Sequence, residues 1–141
     1  MYKKIILPTD GSGYAEDEVE RATKLLADDG EIIILSVAGK LTSSAFQPRS
    51  NIKKVNKKLY KEAEESVNNM KKRFDDDINV KTKVVVGFPA ECINEVAEQE
   101  NADLIIISSS GKSGLHKFII GSVAEKVLKT SEIDVLLVHS K

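Results

Sequence analysis

The sequence predicts an open, doubly wound α/β protein with a parallel sheet of five strands and helices on both faces. Short apolar runs rich in Ile, Val and Leu alternate with segments of helical periodicity. Because these runs are continuous rather than alternating, they are typical of strands buried on both faces of a parallel sheet. The order βαβαβαβαβ favours right-handed crossovers in a doubly wound sheet. The predicted strands are residues 4–8, 31–37, 80–86, 103–108 and 135–139.

The intervening segments each have an apolar face at helical spacing. In the first, Val19, Ala22 and Leu25 lie on one face, and Gly30 is expected to stop the helix. Pro89 suits the first turn of the third helix. The predicted helices are residues 13–29, residues 55–74, a short one that begins near Pro89, and residues 122–130.

A long segment without periodicity, from Ala38 to Asn51, is predicted to be a loop after the second strand. It would lie at the carboxyl edge of the sheet, where loops often bind ligands. Its role is not indicated by its composition.

Length and composition favour one cytoplasmic domain spanning residues 1–141. The formal net charge is −1, from 21 basic and 22 acidic residues, so nothing global attracts nucleic acid or an anionic membrane. No apolar run approaches the roughly 20 residues of a spanning helix. The N-terminus enters a strand pattern at once, so no signal peptide is expected. The single cysteine, Cys92, excludes an internal disulfide framework and is expected to be a buried thiol rather than a nucleophile.

Two loops that follow strands contain the candidate chemistry. After strand one, Asp10 can accept hydrogen bonds from a base or a hydroxyl, or it can serve with Ser12 only to cap the first helix. After strand four, a Gly- and Ser-rich loop from Ser108 to Ser122 leads into a helix, a place where backbone N–H groups can face an anion.

Within that second loop, Gly111-Lys112-Ser113 looks like the end of a Walker A loop. The required earlier glycine would fall at Ile106, inside the strand, which argues against a Walker-type NTPase. Lys112 can still approach a phosphate as a point charge. The stretch from Ser122 to Glu125 also matches a capping box, which is compatible with an anion at the same helix start.

The whole chain resembles the universal stress protein family. Three stretches are similar to the family pattern: Pro-Thr-Asp-Gly-Ser after strand one, Val-x-x-Gly-x-Pro-Ala-Glu around Pro89, and a glycine loop ending Gly-Ser-Val-Ala-Glu-Lys-Val. The resemblance implies a Rossmann-like sheet in the order 3-2-1-4-5. Strands one and four are then neighbours whose connections leave in opposite directions, which is where such sheets bind ligands.

Nucleotide-binding members of the family have Gly-x-x-Gly, nine further residues, and then Gly-Ser or Gly-Thr. This chain matches from Gly111 onward but has Ser108 at the first glycine. The resemblance implies adenine contacts at Asp10 and the Val37 backbone, and phosphate contacts around Gly111 and Gly121. The candidate binding residues are Pro8, Thr9, Asp10, Val37, Ser108, Gly111, Lys112, Gly114, Gly121, Ser122 and Val123.

The resemblance therefore predicts a binding or signalling module for ATP, ADP or AMP, with the need for Mg²⁺ left open. Neither catalytic residues nor metal ligands are assigned, because no general base stands out and two isolated histidines do not make a metal site. At most, slow ATP hydrolysis is expected. Family members usually form homodimers through the last strand, here from Val135 to His139, although Asp134 replaces the usual Pro before it.

The sequence also has features of two other functions. Ser108 favours a branch of the family that forms dimers without binding nucleotide, since a side chain there can crowd the approach of a ligand. A flavodoxin-like electron carrier would use the first loop for FMN phosphate. The absence of Trp and the 5% aromatic content argue against that carrier.

Overall fold

A computed structural model describes residues 1–12, 15–39, 49–109 and 120–139. Its elements follow the predicted order. They are β1 (Tyr2–Pro8), α1 (Ala15–Leu25), β2 (Leu26–Ala38), α2 (Arg49–Lys71), β3 (Val80–Val86), α3 (Pro89–Gln99), β4 (Leu104–Ser108), α4 (Ser122–Thr130) and β5 (Asp134–Val138).

The five strands form one parallel sheet in the order β3-β2-β1-β4-β5, which confirms the predicted fold class and strand order. Ile5 of β1 pairs with Ile32 of β2 on one side and with Leu104 of β4 on the other. The chain therefore reverses its direction of winding between β1 and β4, which creates a topological switch point.

Apolar side chains cover both faces of the sheet. Alternate residues of β1 divide between two core clusters: Ile5 and Leu7 pack with α1 and α2, whereas Ile6 packs with α3 and α4. Burial on both faces explains why the central strands are continuous apolar runs. It also places α1 and α4, which follow β1 and β4, on opposite faces of the sheet.

The junction between α1 and β2 differs from the sequence prediction. The helix ends at Leu25 and β2 begins at Leu26, so the polar stretch through Gly30 belongs to the strand. Gly30 does not stop the helix. A Cβ there would lie 2.6 Å from Leu26 Cδ1 and 2.9 Å from the Lys3 carbonyl oxygen. The glycine is required because two segments approach its backbone closely, which single-sequence periodicity does not indicate.

Other boundaries also shift. Helix α2 begins at Arg49, within the predicted long loop, and ends at Lys71, so Phe74 lies beyond it but remains buried. Residues 40–48 of that loop lie outside the described residues. Strand β1 begins at Tyr2, two residues earlier than predicted. Among the described residues, no helix has the length and apolar character needed to cross a membrane.

Candidate functional site

Several predicted site residues lie together at the carboxyl edge of the sheet. Pro8 and Ser108 are the last residues of β1 and β4, and Val37 is one residue from the end of β2. The Thr9 N–H donates to the Leu35 carbonyl oxygen at 2.8 Å, so the chain leaving β1 stays alongside β2. The neighbouring strands β2, β1 and β4 therefore bring these residues to one edge.

The loop after β1 is stabilised by its own side chains. The Gly11 N–H donates to Thr9 Oγ1 at 3.2 Å, and the Ser12 N–H donates to Asp10 Oδ1 at 2.9 Å. Gly11 has φ of +84°, a left-handed conformation that glycine adopts without strain. Asp10 therefore stabilises the turn after β1 through its bond to the Ser12 N–H. A carboxylate accepts several hydrogen bonds, so this role is compatible with ligand binding at the exposed Asp10.

The loop after β4 has both ends tied at the same edge. The Ser109 N–H donates to the Val138 carbonyl oxygen at 2.8 Å, and the Gly121 N–H donates to the Ser109 carbonyl oxygen at 2.6 Å. The start of α4 therefore lies directly beside the end of β4. The predicted residues Gly111, Lys112 and Gly114 lie outside the described residues.

The N-terminus of α4 lacks the predicted capping box. Gly121 is the N-cap in an extended conformation, and no side-chain hydrogen bond caps the helix in the described part of the chain. Ser122 is the exposed first residue of the helix, so its hydroxyl cannot act as the cap. Because the first N–H groups of a helix lack intrahelical partners, the turn containing Ser122 and Val123 can bind an anion.

A buried acid, Glu18, is the feature that the sequence analysis missed. Glu18 lies on α1 and is only 4% exposed. Ser108 hydrogen-bonds its carboxyl group, and among the described residues Glu18 Oε2 has no hydrogen-bond partner. Burial, reinforced by the negative charge of Asp10, raises the pKa of Glu18 to about 8. The group is therefore mostly neutral at pH 7.

The sequence did contain a signal for this burial. Glu18 precedes Ala22 by four residues, so it lies on the same face of α1 as the apolar stripe. Glu18 also bonds Ser108, the residue that replaces the first glycine of the nucleotide-binding motif. The Ser108 hydroxyl is engaged with α1 rather than lying unconstrained at the edge of the sheet.

An acidic cavity of about 810 Å³ lies between the loop after β1 and helix α2. Thr9 and Asp10 line it, but the described phosphate-side residues Gly121 and Ser122 do not. Its charged lining consists of Asp10, Glu16, Asp17, Glu62, Glu65 and Arg73. Since this lining is mostly acidic, it disfavours phosphate, and the start of α4 is the better phosphate site.

Among the described residues, the remaining reactive side chains do not form a second site. Cys92 is buried, and burial raises the pKa of its thiol, which disfavours the nucleophilic thiolate. Among the described residues there is no group of three His, Cys, Asp or Glu side chains that could hold a metal ion. His139 is exposed just after β5.

Comparisons with known proteins agree with this architecture. The model of the universal stress protein family matches residues 1–139. Universal stress protein MJ0577 of Methanocaldococcus jannaschii is 38% identical over 161 residues, covering 100% of this chain and 97% of that protein. Universal stress protein MJ0531 of the same organism is 31% identical over 140 residues, covering 98% of this chain and 82% of that protein.

Two solved structures extend the comparison. The MJ0577 structure superposes with a TM-score of 0.83 at 37% identity, covering 100% of this chain and 98% of that one. A universal stress protein solved in complex with cAMP superposes with a TM-score of 0.61 at 25% identity, covering 99% of this chain and 98% of that one.

Proposed function

The chain belongs to the universal stress protein family, and on that premise we propose that it is an adenine-nucleotide-binding module of a stress response. The observation that supports this proposal most is the start of α4, which has no side-chain cap among the described residues and which the bond between Gly121 and Ser109 holds beside the end of β4. A helix N-terminus at a topological switch point suits a phosphate group. The relative with cAMP bound supports an adenine nucleotide as the ligand.

We assign the two ends of the ligand to two groups of residues. The adenine end would contact Pro8, Thr9, Asp10 and the Val37 backbone, and Ser108 would lie between the two ends. The phosphates would contact Gly111, Lys112, Gly114, Gly121, Ser122 and Val123. Asp10 can accept a hydrogen bond from the exocyclic amine of adenine, whereas the N–H groups of α4 donate to phosphate. ATP, ADP and AMP all fit this division, and Mg²⁺ would accompany the longer ones.

Hydrolysis would be slow at most. A general base must be able to accept a proton at the working pH. Glu18 is mostly neutral at pH 7 because its pKa is raised to about 8, and Asp10 is assigned to the adenine end. We therefore propose a binding or signalling role in the cytoplasm rather than an enzymatic one.

The first experiment identifies the ligand directly. Protein purified without added nucleotide is heated, and the released small molecules are identified by mass spectrometry. Calorimetric titration with ATP, ADP and AMP then gives the affinities. We expect Asp10→Asn to weaken binding about tenfold, and Asp76→Asn, in the exposed turn after α2, to leave it unchanged. No released nucleotide and no binding of any of the three would overturn the proposal.

The second candidate is a family member that forms dimers without binding nucleotide. Ser108 favours this alternative because it occupies the position of the first motif glycine and is tied to Glu18. The Ser108→Gly variant separates the two candidates. If only this variant binds ATP, the natural protein has lost the site; if both bind, the serine is compatible with the ligand.

We also propose a homodimer formed through the last strand. Strand β5 pairs with β4 along one side and is at the edge of the sheet on its other side. Asp134, which replaces the usual Pro, accepts a hydrogen bond from the Tyr2 hydroxyl at 2.8 Å. This bond fixes the start of β5 within its own subunit and leaves the strand through Val138 for pairing.

A further inference from the structure

We propose that Glu18 is a positioning residue that couples nucleotide binding to pH, so that ligand binds the protein with neutral Glu18 and ionisation of Glu18 weakens binding. This inference rests on the proposed function and concerns the regulation of that same site. It follows from the contacts of Glu18, from the charges around it, and from the charge of the ligand.

A short series of contacts connects Glu18 to the proposed phosphate site. Its carboxyl group is hydrogen-bonded to Ser108, the last residue of β4. The next residue, Ser109, accepts the Gly121 N–H at 2.6 Å, and Gly121 is the N-cap of α4. Glu18 thus lies two bonded contacts from the start of α4, although it belongs to the helix on the opposite face of the sheet.

The charged groups around Glu18 oppose a further negative charge. Asp10 acts on it from the loop after β1, and Asp17 acts on it from α1 itself. Ser108 is the polar contact from β4, and its hydroxyl favours the ionised form. The apolar core cluster that packs against α1 adds side chains from β1, β2, β4 and β5, and the described buried polar residue of β2, Ser36, is uncharged. Burial and the two aspartates outweigh the hydroxyl, so the pKa of Glu18 rises to about 8.

The two protonation states present different chemistry to a nucleotide. A neutral carboxyl has an O–H donor, whereas an ionised one has only acceptors and a negative charge. Among the described residues Glu18 Oε2 has no partner, and in a buried site the field of its charge is poorly screened. An anionic nucleotide at the start of α4 therefore favours the neutral form, and by linkage its binding raises the proton occupancy of Glu18.

The test is a titration of the full chain with ATP at constant ionic strength between pH 7 and pH 9. The phosphates of ATP are already ionised over most of this range, so a change reports the protein. If only the neutral form binds, a group that titrates near pH 8 lowers the affinity about tenfold between pH 7 and pH 9. Calorimetry in two buffers of different ionisation enthalpy should also show uptake of a fraction of a proton near pH 8.

The matched variants are Glu18→Gln and Glu20→Gln. The first keeps a side chain of the same size that can bond Ser108 but cannot ionise, so its affinity should be the same at pH 7 and pH 9. The second removes an exposed carboxylate on the same helix, one that pairs with Lys24 at 2.9 Å, and should retain the tenfold fall. If circular dichroism shows that Glu18→Gln is unfolded, the inference is tested by the proton uptake of the wild-type protein on binding ATP near pH 8. Absence of that uptake would overturn the inference.

Each result has one meaning. A tenfold fall that Glu18→Gln abolishes supports the inference. Binding whose affinity is independent of pH, or a fall that persists in Glu18→Gln, overturns the inference and leaves the proposed function intact. If neither the wild-type protein nor Glu18→Gln binds ATP, ADP or AMP between pH 7 and pH 9, the proposed function is overturned and this inference with it.

Discussion

At the scale of single residues, the burial of the Glu18 carboxyl group is the most unusual feature of the fold. Carboxyl groups are rarely buried without a cation or several donors. Here Ser108 of β4 hydrogen-bonds the group, and two aspartates act on it unfavourably. The Glu18 carboxyl group therefore stays protonated in the folded protein. This protonation affects stability whether or not a ligand is bound.

The free protein should lose stability as the pH rises from 5 to 8. In this interval the unfolded chain has lost the Glu18 proton, whose ordinary pKa is 4.5, while the folded chain retains it up to about 8. The folded state then binds more protons, so the free energy of unfolding falls with pH. Because the difference is at most one proton, worth about 1.4 kcal/mol per pH unit, the loss between pH 5 and pH 8 is about 3–4 kcal/mol.

Urea denaturation of the ligand-free protein at pH 5 and pH 8 measures this loss. Glu18→Gln cannot ionise and should reduce the difference between the two pH values to the part contributed by other groups. Glu20→Gln, altered in an exposed side chain of the same helix, should show the wild-type difference. An equal pH dependence in Glu18→Gln and the wild-type protein would mean that Glu18 titrates normally in the fold.

At the scale of elements, the sequence pattern predicted those boundaries that depend on neighbouring residues in the chain. Strand β3 and helix α4 have the predicted bounds, because β3 is rich in β-branched residues and lies between Asn79 and Gly87, and a Gly-Ser pair precedes the helical pattern of α4. The end of α1 could not be predicted in this way. Leu26 belongs to β2 because it pairs with Tyr2 across the sheet, and that long-range contact outweighs the helical spacing that continues through Asp29.

The same division applies to the candidate site. The positions of Pro8, Val37 and Ser108 at one edge follow from strand order, which the family resemblance supplied. The bond between Ser108 and Glu18 joins residues 90 positions apart, and nothing in the spacing of either residue indicates it. In the described part of the chain, α4 has no side-chain cap because its N-cap is Gly121, whereas the motif match assigned that position to Ser122.

The close approach at Gly30 predicts a large difference between two glycine substitutions in and just beyond β2. Gly30→Ala would place a methyl group 2.6 Å from Leu26 Cδ1 and 2.9 Å from the Lys3 carbonyl oxygen, whereas a Cβ at Gly39 meets no atom of the described residues within 4 Å. We expect Gly30→Ala to lower the free energy of unfolding by about 1–3 kcal/mol, as overpacking does, and Gly39→Ala to change it by less than about 0.5 kcal/mol. Equal effects in urea denaturation would contradict the assignment of Gly30 to the strand.

The missing capping box gives a second prediction for an element. Replacing a true N-cap serine by alanine costs about 1 kcal/mol. Because Ser122 is the exposed first residue of α4 and makes no capping bond, Ser122→Ala should change the free energy of unfolding by less than about 0.5 kcal/mol. Thermal denaturation of the ligand-free protein measures this change. A loss near 1 kcal/mol would indicate that Ser122 does cap the helix.

At the scale of the whole molecule, the two edges of the sheet differ in their protection. Edge strand β3 has Lys81 and Lys83, which pair with Glu31 and Glu100. Charged side chains on an edge discourage pairing with another chain. Edge strand β5 is uncharged after Asp134, and its three apolar residues, from Val135 to Leu137, are partly exposed. This difference favours β5 over β3 as the strand used in the proposed dimer.

The resulting prediction is a dimer that depends on β5. Sedimentation should give about 31 kDa, twice the chain mass of 15.5 kDa, and the β5 amides that do not face β4 should exchange slowly with solvent. Leu136→Lys should shift the mass toward the monomer, because pairing would bury an unpaired charge. Val86→Lys, at a residue of β3 that is 49% exposed, should leave the dimer intact. A wild-type monomer with rapidly exchanging outer β5 amides would exclude association through this strand, and that measurement does not depend on whether the lysine variant folds.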